Sequence, residues 1–389
     1  MATTSPPRHN HHRVLPQSTH DASSTHEVPE ALRATGIVLA LAAVLALIAI
    51  AFALPAAKSK PHDIPIGAVG APAASGQVAD MLAHSAPGAF ALTIYPTEAA
   101  LRDAIRDRDV YGGVVLEPEG RKLLTATGAG PTVAQLLTQF GNAMAQQTGV
   151  PLRTEDLAPP PAGDPRGTGL AAAALPITLA GFLPVVALTL VVRRDVLIRI
   201  AATAAFSGLA GVTIAAVMRF ALGSIDQNFW AVAGGLTLGA LAAGLLVLGL
   251  SELFGRAGLV CGALLALLVG NPLSGLTSAP ELLPGGWGQL GQFLPQGANA
   301  TLLRSTAFFD GAGASTAIAV LTCWAVLGSL IIVIALQRRA VHAVRGPDEP
   351  VPAIYRADNF ERLATQPNVM RPLTAQMNGS FRDLGRMTP

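Results

Sequence analysis

Chemistry needs nucleophiles, titratable groups or metal ligands at workable spacing, and this chain offers few of them. Asp103, Asp107, Asp109, Glu117 and Glu119 lie close together in sequence, but Arg102, Arg106 and Arg108 are interspersed among them. Such alternation at helical spacing reads as a solvated face, and no Ser, His or Cys completes a triad beside it. His9, His11 and His12 fall in a polar leader without Cys or carboxylate partners, so they read as a flexible tail and not a metal site. Cys261 and Cys323 both sit in apolar runs, which excludes a disulfide framework and a zinc site. Ser274 in "NPLSG" has Pro272 where a nucleophile elbow needs glycine, and no neighbouring base. Neither a G-x-x-x-x-G-K-[ST] loop nor an H-E-x-x-H is present. The reading is a non-enzyme with no cofactor and no metal.

The elements that would position any site are mostly membrane helices. Of the 389 residues 51% are hydrophobic and 13% charged, and the mean hydropathy is +0.48. The formal net charge of +2, without a basic patch, argues against nucleic acid. Lys is rare beside Arg, and Ala is abundant, as in a high-GC bacterial genome. A span needs roughly 20 apolar residues. Six stretches are candidates: 35–54, 169–192, 197–218, 229–250, 257–270 and 314–336, the fifth being clear only to Gly270. The expected fold class is an α-helical polytopic membrane protein, with six transmembrane helices and a small α/β extracytoplasmic domain between the first and second.

Orientation follows from the basic residues. Arg33, the Arg193, Arg194 and Arg199 group, Arg256, and the Arg338, Arg339 and Arg345 group all flank the same side if six spans alternate. That side is the cytoplasm. Both termini are expected there, in a cell membrane, with Arg193 and Arg194 orienting the loop between spans two and three. The first span has a long polar leader and reads as an anchor, not a cleaved signal.

The expected division is a disordered N-tail with a short interfacial helix (1–34), the first span (35–57), the extracytoplasmic domain (58–168), a five-helix transmembrane domain (169–338), and a C-tail (339–389). In the insertion, strands are expected at "DIPIGAVG", "AFALTIYP", "VYGGVVLEP" and "KLLTATG". Helices are expected at "SGQVADMLAHS", capped by Ser75, at "EAALRDAIRDRD", capped by Thr97, and at "TVAQLLTQFGNAMAQQTG". A Pro- and Gly-rich linker at 157–169 ends it. Within the spans Gly235, Gly239 and Ala243 form a small-residue ridge for helix packing, as do Gly208 and Gly211. Pro176 and Pro184 suggest kinks or a broken helix in span two.

The stretch "GNPLSGLTSAPELLPGGWGQLGQFLPQGAN", residues 270–299, carries four prolines, seven glycines and no Lys or Arg. Backbone this rich in Gly and Pro is tolerated at membrane depth only when buried in protein or lining a cavity. It predicts a re-entrant segment over about 271–311, with Trp287, Leu290, Phe293 and Leu294 on one face of a short interfacial helix. Asn271, Pro272, Pro284, Trp287, Pro295 and Arg304 are the candidate gate residues.

"GNPLSG", "APELLPGGWGQLGQFLPQGAN" and "LLRSTAFFDG", with "PHDIPIGAVG" and "RDRDVYGGVVLEP" in the insertion, resemble the permease subunits of the type-2 ABC transporter family. They are also similar to the related phage-infection-protein group, which has actinobacterial members. The resemblance spans roughly residues 35–340. It implies a proline-flanked re-entrant hairpin between the last two spans and association as a homodimer or heterodimer among membrane lipids. It also implies a separate ABC ATPase subunit and export of a lipid, peptide or hydrophobic compound. The loop "RRDVLIR" is shorter than the family's ATPase-contacting helix, which shifts that contact toward "HEVPEALRA". The other reading of the same architecture is an anchored ectodomain serving secretion, envelope assembly or phage adsorption.

Overall fold

The computed structural model describes residues 30–117, 120–192 and 195–345. Arg193, Arg194, Glu119, most of the N-tail and the tail beyond 345 lie outside the described residues, and so do the readings placed on them. The chain divides after Ile50 into two units. The first contains the start of α1 (Glu30–Ala57), which has no charged residue after Arg33 and is exposed along almost all of its length. The interfacial helix expected around residue 30 is the first turn of this one helix.

The second unit begins with a sheet domain. β1 (Ile64–Gly70), α2 (Pro72–Ser85), β2 (Phe90–Tyr95), α3 (Glu98–Arg106), β3 (Gly112–Glu117), β4 (Gly120–Thr125), α4 (Pro131–Thr148) and β5 (Leu152–Asp156) follow in order. The strand order is β2-β1-β3-β4-β5, parallel except for the β3–β4 pair. A parallel sheet needs crossover helices and both faces covered. Val78, Leu82, Val133, Leu137 and Met144 of α2 and α4 cover one face, against Ile64, Ile66, Val114 and Leu123. Leu101, Ala104 and Ile105 of α3 cover the other, against Val69, Val115 and Leu124. Neighbouring residues such as Val114 and Val115 serve opposite faces because strand side chains alternate.

Two local expectations need correction. Ser75 does not cap α2: the helix starts at Pro72, whose fixed φ suits a first turn, and Ser75 is buried inside it. "LRTED" at 152–156 is a fifth strand, missed because its alternation carries little apolar contrast. Thr97 accepts from the Ala100 amide and caps α3.

The helical part follows: α5 (Thr168–Ala172), α6 (Ala174–Val191), α7 (Val196–Ala216), α8 (Phe229–Phe254), α9 (Arg256–Leu264), α10 (Trp287–Gln292), α11 (Pro295–Phe308) and α12 (Ser315–Arg345). Among the described residues five stretches are helices long and apolar enough to cross a membrane: Glu30–Pro55, Thr168–Val191, Val196–Ala221, Phe229–Phe254 and Ser315–Val341. The chain is accordingly read as membrane-embedded. Arg256–Gly270, the fifth stretch of the sequence reading, is a shorter apolar helix. Its last six residues wind as π-helix, as do Val217–Ala221 at the end of α7.

The most buried long helix is α8, because its small residues let neighbours approach. Gly235 lies against Leu302 of α11, and Gly239 against Asn299. Gly211 meets the backbone around Ala233 and Thr237, whereas Gly208 has nothing near it and packs no helix. Gly249 and Gly328 bring α8 and α12 together, a contact absent from the sequence reading. Span two is interrupted at Ala173, three residues before Pro176, which separates α5 from α6, and Pro184 is accommodated within α6.

Candidate functional site at the junction of sheet domain and helices

The chain between α9 and α12 is built into both parts of this unit. Asn271 and Pro272 end the π-helical segment, where Gly270 lies directly against Gln296. Residues 276–283 then reach the sheet domain. Ala279 and Leu282 are buried in the core of its α2/α4 face, and Phe309 in that of its α3 face. The Lys60 and His62 amides donate to the carbonyls of Leu282 and Glu281 at 3.2 and 3.1 Å. Burying one leucine contributes about 1.5–3 kcal/mol, so this loop helps hold the sheet domain together.

The Trp287 amide donates to the Pro284 carbonyl at 2.9 Å to open α10. Leu290 and Phe293 are exposed, Trp287 and Leu294 are half-buried, and Gly288 and Gly291 face inward. Pro295 opens α11, twelve of whose fourteen residues are buried. The contacts of Asn299 with Gly239 and of Leu302 with Gly235 make α11 antiparallel to α8. At ~1.5 Å per residue, α11 spans about 21 Å, less than the ~30 Å of a bilayer core.

Of the expected gate residues, Arg304 has the most developed surroundings. It is buried, and its Nη2 donates to the carbonyls of Gly275, Leu276 and Ser278 at 2.8, 2.9 and 3.4 Å. It lines two cavities, of about 710 and about 550 Å³. Asn271 and Pro272 lie outside both linings, as do Pro284, Trp287 and Pro295.

The smaller cavity gathers residues that sequence reasoning passed over. Arg108 donates through Nη1 to the Thr301 carbonyl at 3.0 Å and to the Ser305 hydroxyl, and its guanidinium sits 5.4 Å from the Phe309 ring centroid. Burial, and then the nearby Arg304 charge, push its pKa down to about 10, so it remains cationic at neutral pH. Its Nε is buried without a partner. The Tyr111 hydroxyl donates to Glu281 Oε2 at 2.8 Å. Burial first, and then the Glu281 charge, raise the phenol above its ordinary value. His62 and Asp63 complete the charged or titratable lining. In sequence Arg108 belonged to an alternating charge run, and only the fold, with its left-handed backbone (φ 67°), turns it toward α11.

A second polar cluster lies among the long helices. The Glu252 carboxylate of α8 is fully buried between Arg199 of α7, at 2.5 Å, and Arg339 of α12, at 2.8 Å. Arg339 also donates to the Glu252 carbonyl at 2.8 Å. The contacts to the carboxylate are close but poorly aligned for hydrogen bonding, so Coulomb attraction dominates. A signal existed: Glu252 is the one acid in the 26-residue run of α8, and such groups inside apolar runs are seldom idle.

The acidic run around α3 lies on a solvated face, as its alternating charges predict. Asp103, Asp107 and Asp109 are exposed, and Glu98 pairs with Arg102 and Lys122 on the domain surface. No group of three or more metal-ligating residues occurs among the described residues. No family model, curated protein or solved structure matches this chain.

Proposed function

We propose that this chain is a permease-like membrane subunit of an ABC-type exporter, moving a lipid, peptide or hydrophobic compound by rearranging helices. The observation that carries the reading is the segment from Asn271 to Phe309. It packs α11 antiparallel to α8 and also supplies Ala279, Leu282 and Phe309 to the sheet-domain core. Movement of this hairpin is therefore coupled to movement of the sheet domain. Cavities on either side of Arg304 provide space at that joint, and π-helical turns, frequent at functional sites, adjoin it at both Val217–Ala221 and Leu265–Gly270.

In this reading α9, its π-helical end and the extended chain beyond Asn271 make a sixth, broken crossing. The sheet domain is extracytoplasmic, both termini are cytoplasmic, and α10–α11 enter from outside as a re-entrant hairpin. A second copy or a sister subunit completes the pathway. The energy comes from a separate ATPase, as this chain has no phosphate-binding loop. The test is purification of the tagged full chain from native membranes, with measurement of compounds retained by deletion cells. An ATPase that copurifies, with an accumulated amphiphile, is the expected outcome. Absence of both sinks the proposal and favours the anchored-ectodomain reading, to which a rigid shared core is equally suited.

A further inference from the structure

The larger cavity, about 710 Å³, is enclosed by the first turn of α4, residues 160–168 and residues 276–279. Two guanidiniums line it, the exposed Arg166 and the buried Arg304, and no Asp or Glu does. Arg304 is only 4% exposed. Among the described residues all its hydrogen bonds pass through Nη2, and Nε and Nη1 donate to none of them. It enters no ion pair among the described residues. Two of the nearby acids are already engaged. Asp164 accepts from the amides of Thr168 and Gly169, and Glu281, in the neighbouring cavity, accepts from Tyr111.

The second contribution comes from α4. Its N-cap is Gly130, which has no side-chain oxygen to offer, and Pro131 follows, so the amides of Thr132 and Val133 begin the helix without a side-chain cap. An uncapped helix N-terminus favours anions, and a desolvated guanidinium stays charged and favours them too. Thr127, Thr132 and Thr277 add hydroxyls, while Leu170, Leu276 and Phe308 add apolar wall. Donors converging from several directions suit a tetrahedral, many-acceptor anion, and the apolar wall suits a chain attached to it.

We propose that this cavity is a binding site for a phosphate-bearing ligand, held by Arg304, Arg166 and the N-terminus of α4. The site stands independently of the export reading, since an anchored ectodomain could use it equally well. The phosphate comes either from an anionic lipid headgroup or from free phosphate. The full-length protein in dodecyl maltoside is titrated calorimetrically with dihexanoyl phosphatidylglycerol, dihexanoyl phosphatidylcholine and inorganic phosphate.

Saturable binding of the phosphatidylglycerol alone supports the site with a lipid as its source. Saturable binding of inorganic phosphate as well supports it with free phosphate as the source. Arg304→Gln is expected to weaken binding about tenfold or more, and Arg166→Glu about threefold or more. Arg304 also holds the 275–278 loop, so its variant is checked for folding by circular dichroism. Arg166 makes no hydrogen bond among the described residues, so its variant decides the matter if the other misfolds. No saturable binding overturns the proposal, as does equal binding of the zwitterionic lipid or an unchanged affinity in Arg166→Glu.

Discussion

Glu252 has its side chain fully buried near the end of α8, just past the apolar stretch that closes at Leu250, and that placement sets its energetics. Arg199 is nearly as buried, so removing the acid leaves an uncompensated guanidinium among apolar side chains. Breaking such a pair costs about 3–5 kcal/mol, whereas replacing both partners by apolar residues is often neutral. Glu252→Ala is therefore expected to lower the thermal unfolding temperature of the detergent-purified protein markedly, while Glu252→Leu combined with Arg199→Leu recovers most of the loss. Equal stability of Glu252→Ala and the parent would show that Arg199 reaches water by another route. At Arg304 the balance differs: three carbonyls satisfy one nitrogen and leave the others for a ligand.

Among the elements, α10 is only six residues long and would not hold its shape alone. It is fixed by close backbone contacts on its glycine face. A Cβ on Gly288 would meet the Pro280 carbonyl, and one on Gly291 the Leu273 carbonyl. Gly285 has open space around it, and Gly286 is needed for its positive φ of 79° instead of its size. Gly285 and Gly286 are thus sterically free, and the tightly packed pair, Gly288 and Gly291, follows them within α10. Gly288→Val is expected to detach α10 and expose the 280–292 segment to limited proteolysis. Gly285→Val should leave the protease pattern of the parent. A parental pattern in both variants would refute the packing described for this hairpin.

For the whole molecule, the sheet domain and the helices share cores, so a change in one is transmitted to the other. Glu98 is held below the ordinary carboxylate range by hydrogen bonds from Lys122 and then Arg102, and Glu155 by Arg102. A carboxylate whose folded pKa is depressed stabilises the fold above its unfolded pKa, about 4.3 for Glu, and loses that contribution as pH falls through the folded value. Stability should be flat in this respect from pH 7 to about 5 and decline below about 4, with Glu98→Gln showing a shallower decline in thermal melts. An identical acid profile in that variant would remove this cluster from the account.

Sidedness is tested on cells. With Cys261 and Cys323 replaced by Ser, a single cysteine at Thr148 should react with an impermeant maleimide in intact cells. One at Arg256 should react only after lysis. The reverse pattern would invert the proposed topology.

By itself the sequence determined that the chain is a helical membrane protein with an inserted α/β segment. Long apolar runs and alternating strand patterns are local properties, set by the cost of exposing apolar side chains and unpaired backbone groups. It also determined that residues 270–299 are more than a loop, because their composition suits neither water nor a plain helix. Tertiary structure alone decided what that segment does. Ala279, Leu282 and Phe309 complete the core of a domain that began two hundred residues earlier, and no local pattern records a partner so distant. The same holds for Arg108, Arg304 and the uncapped start of α4. Arg304 stood out in sequence only for its place beside the Gly- and Pro-rich stretch; that it lines both cavities, one with Arg108 and the other with the start of α4, arises from packing across the whole fold.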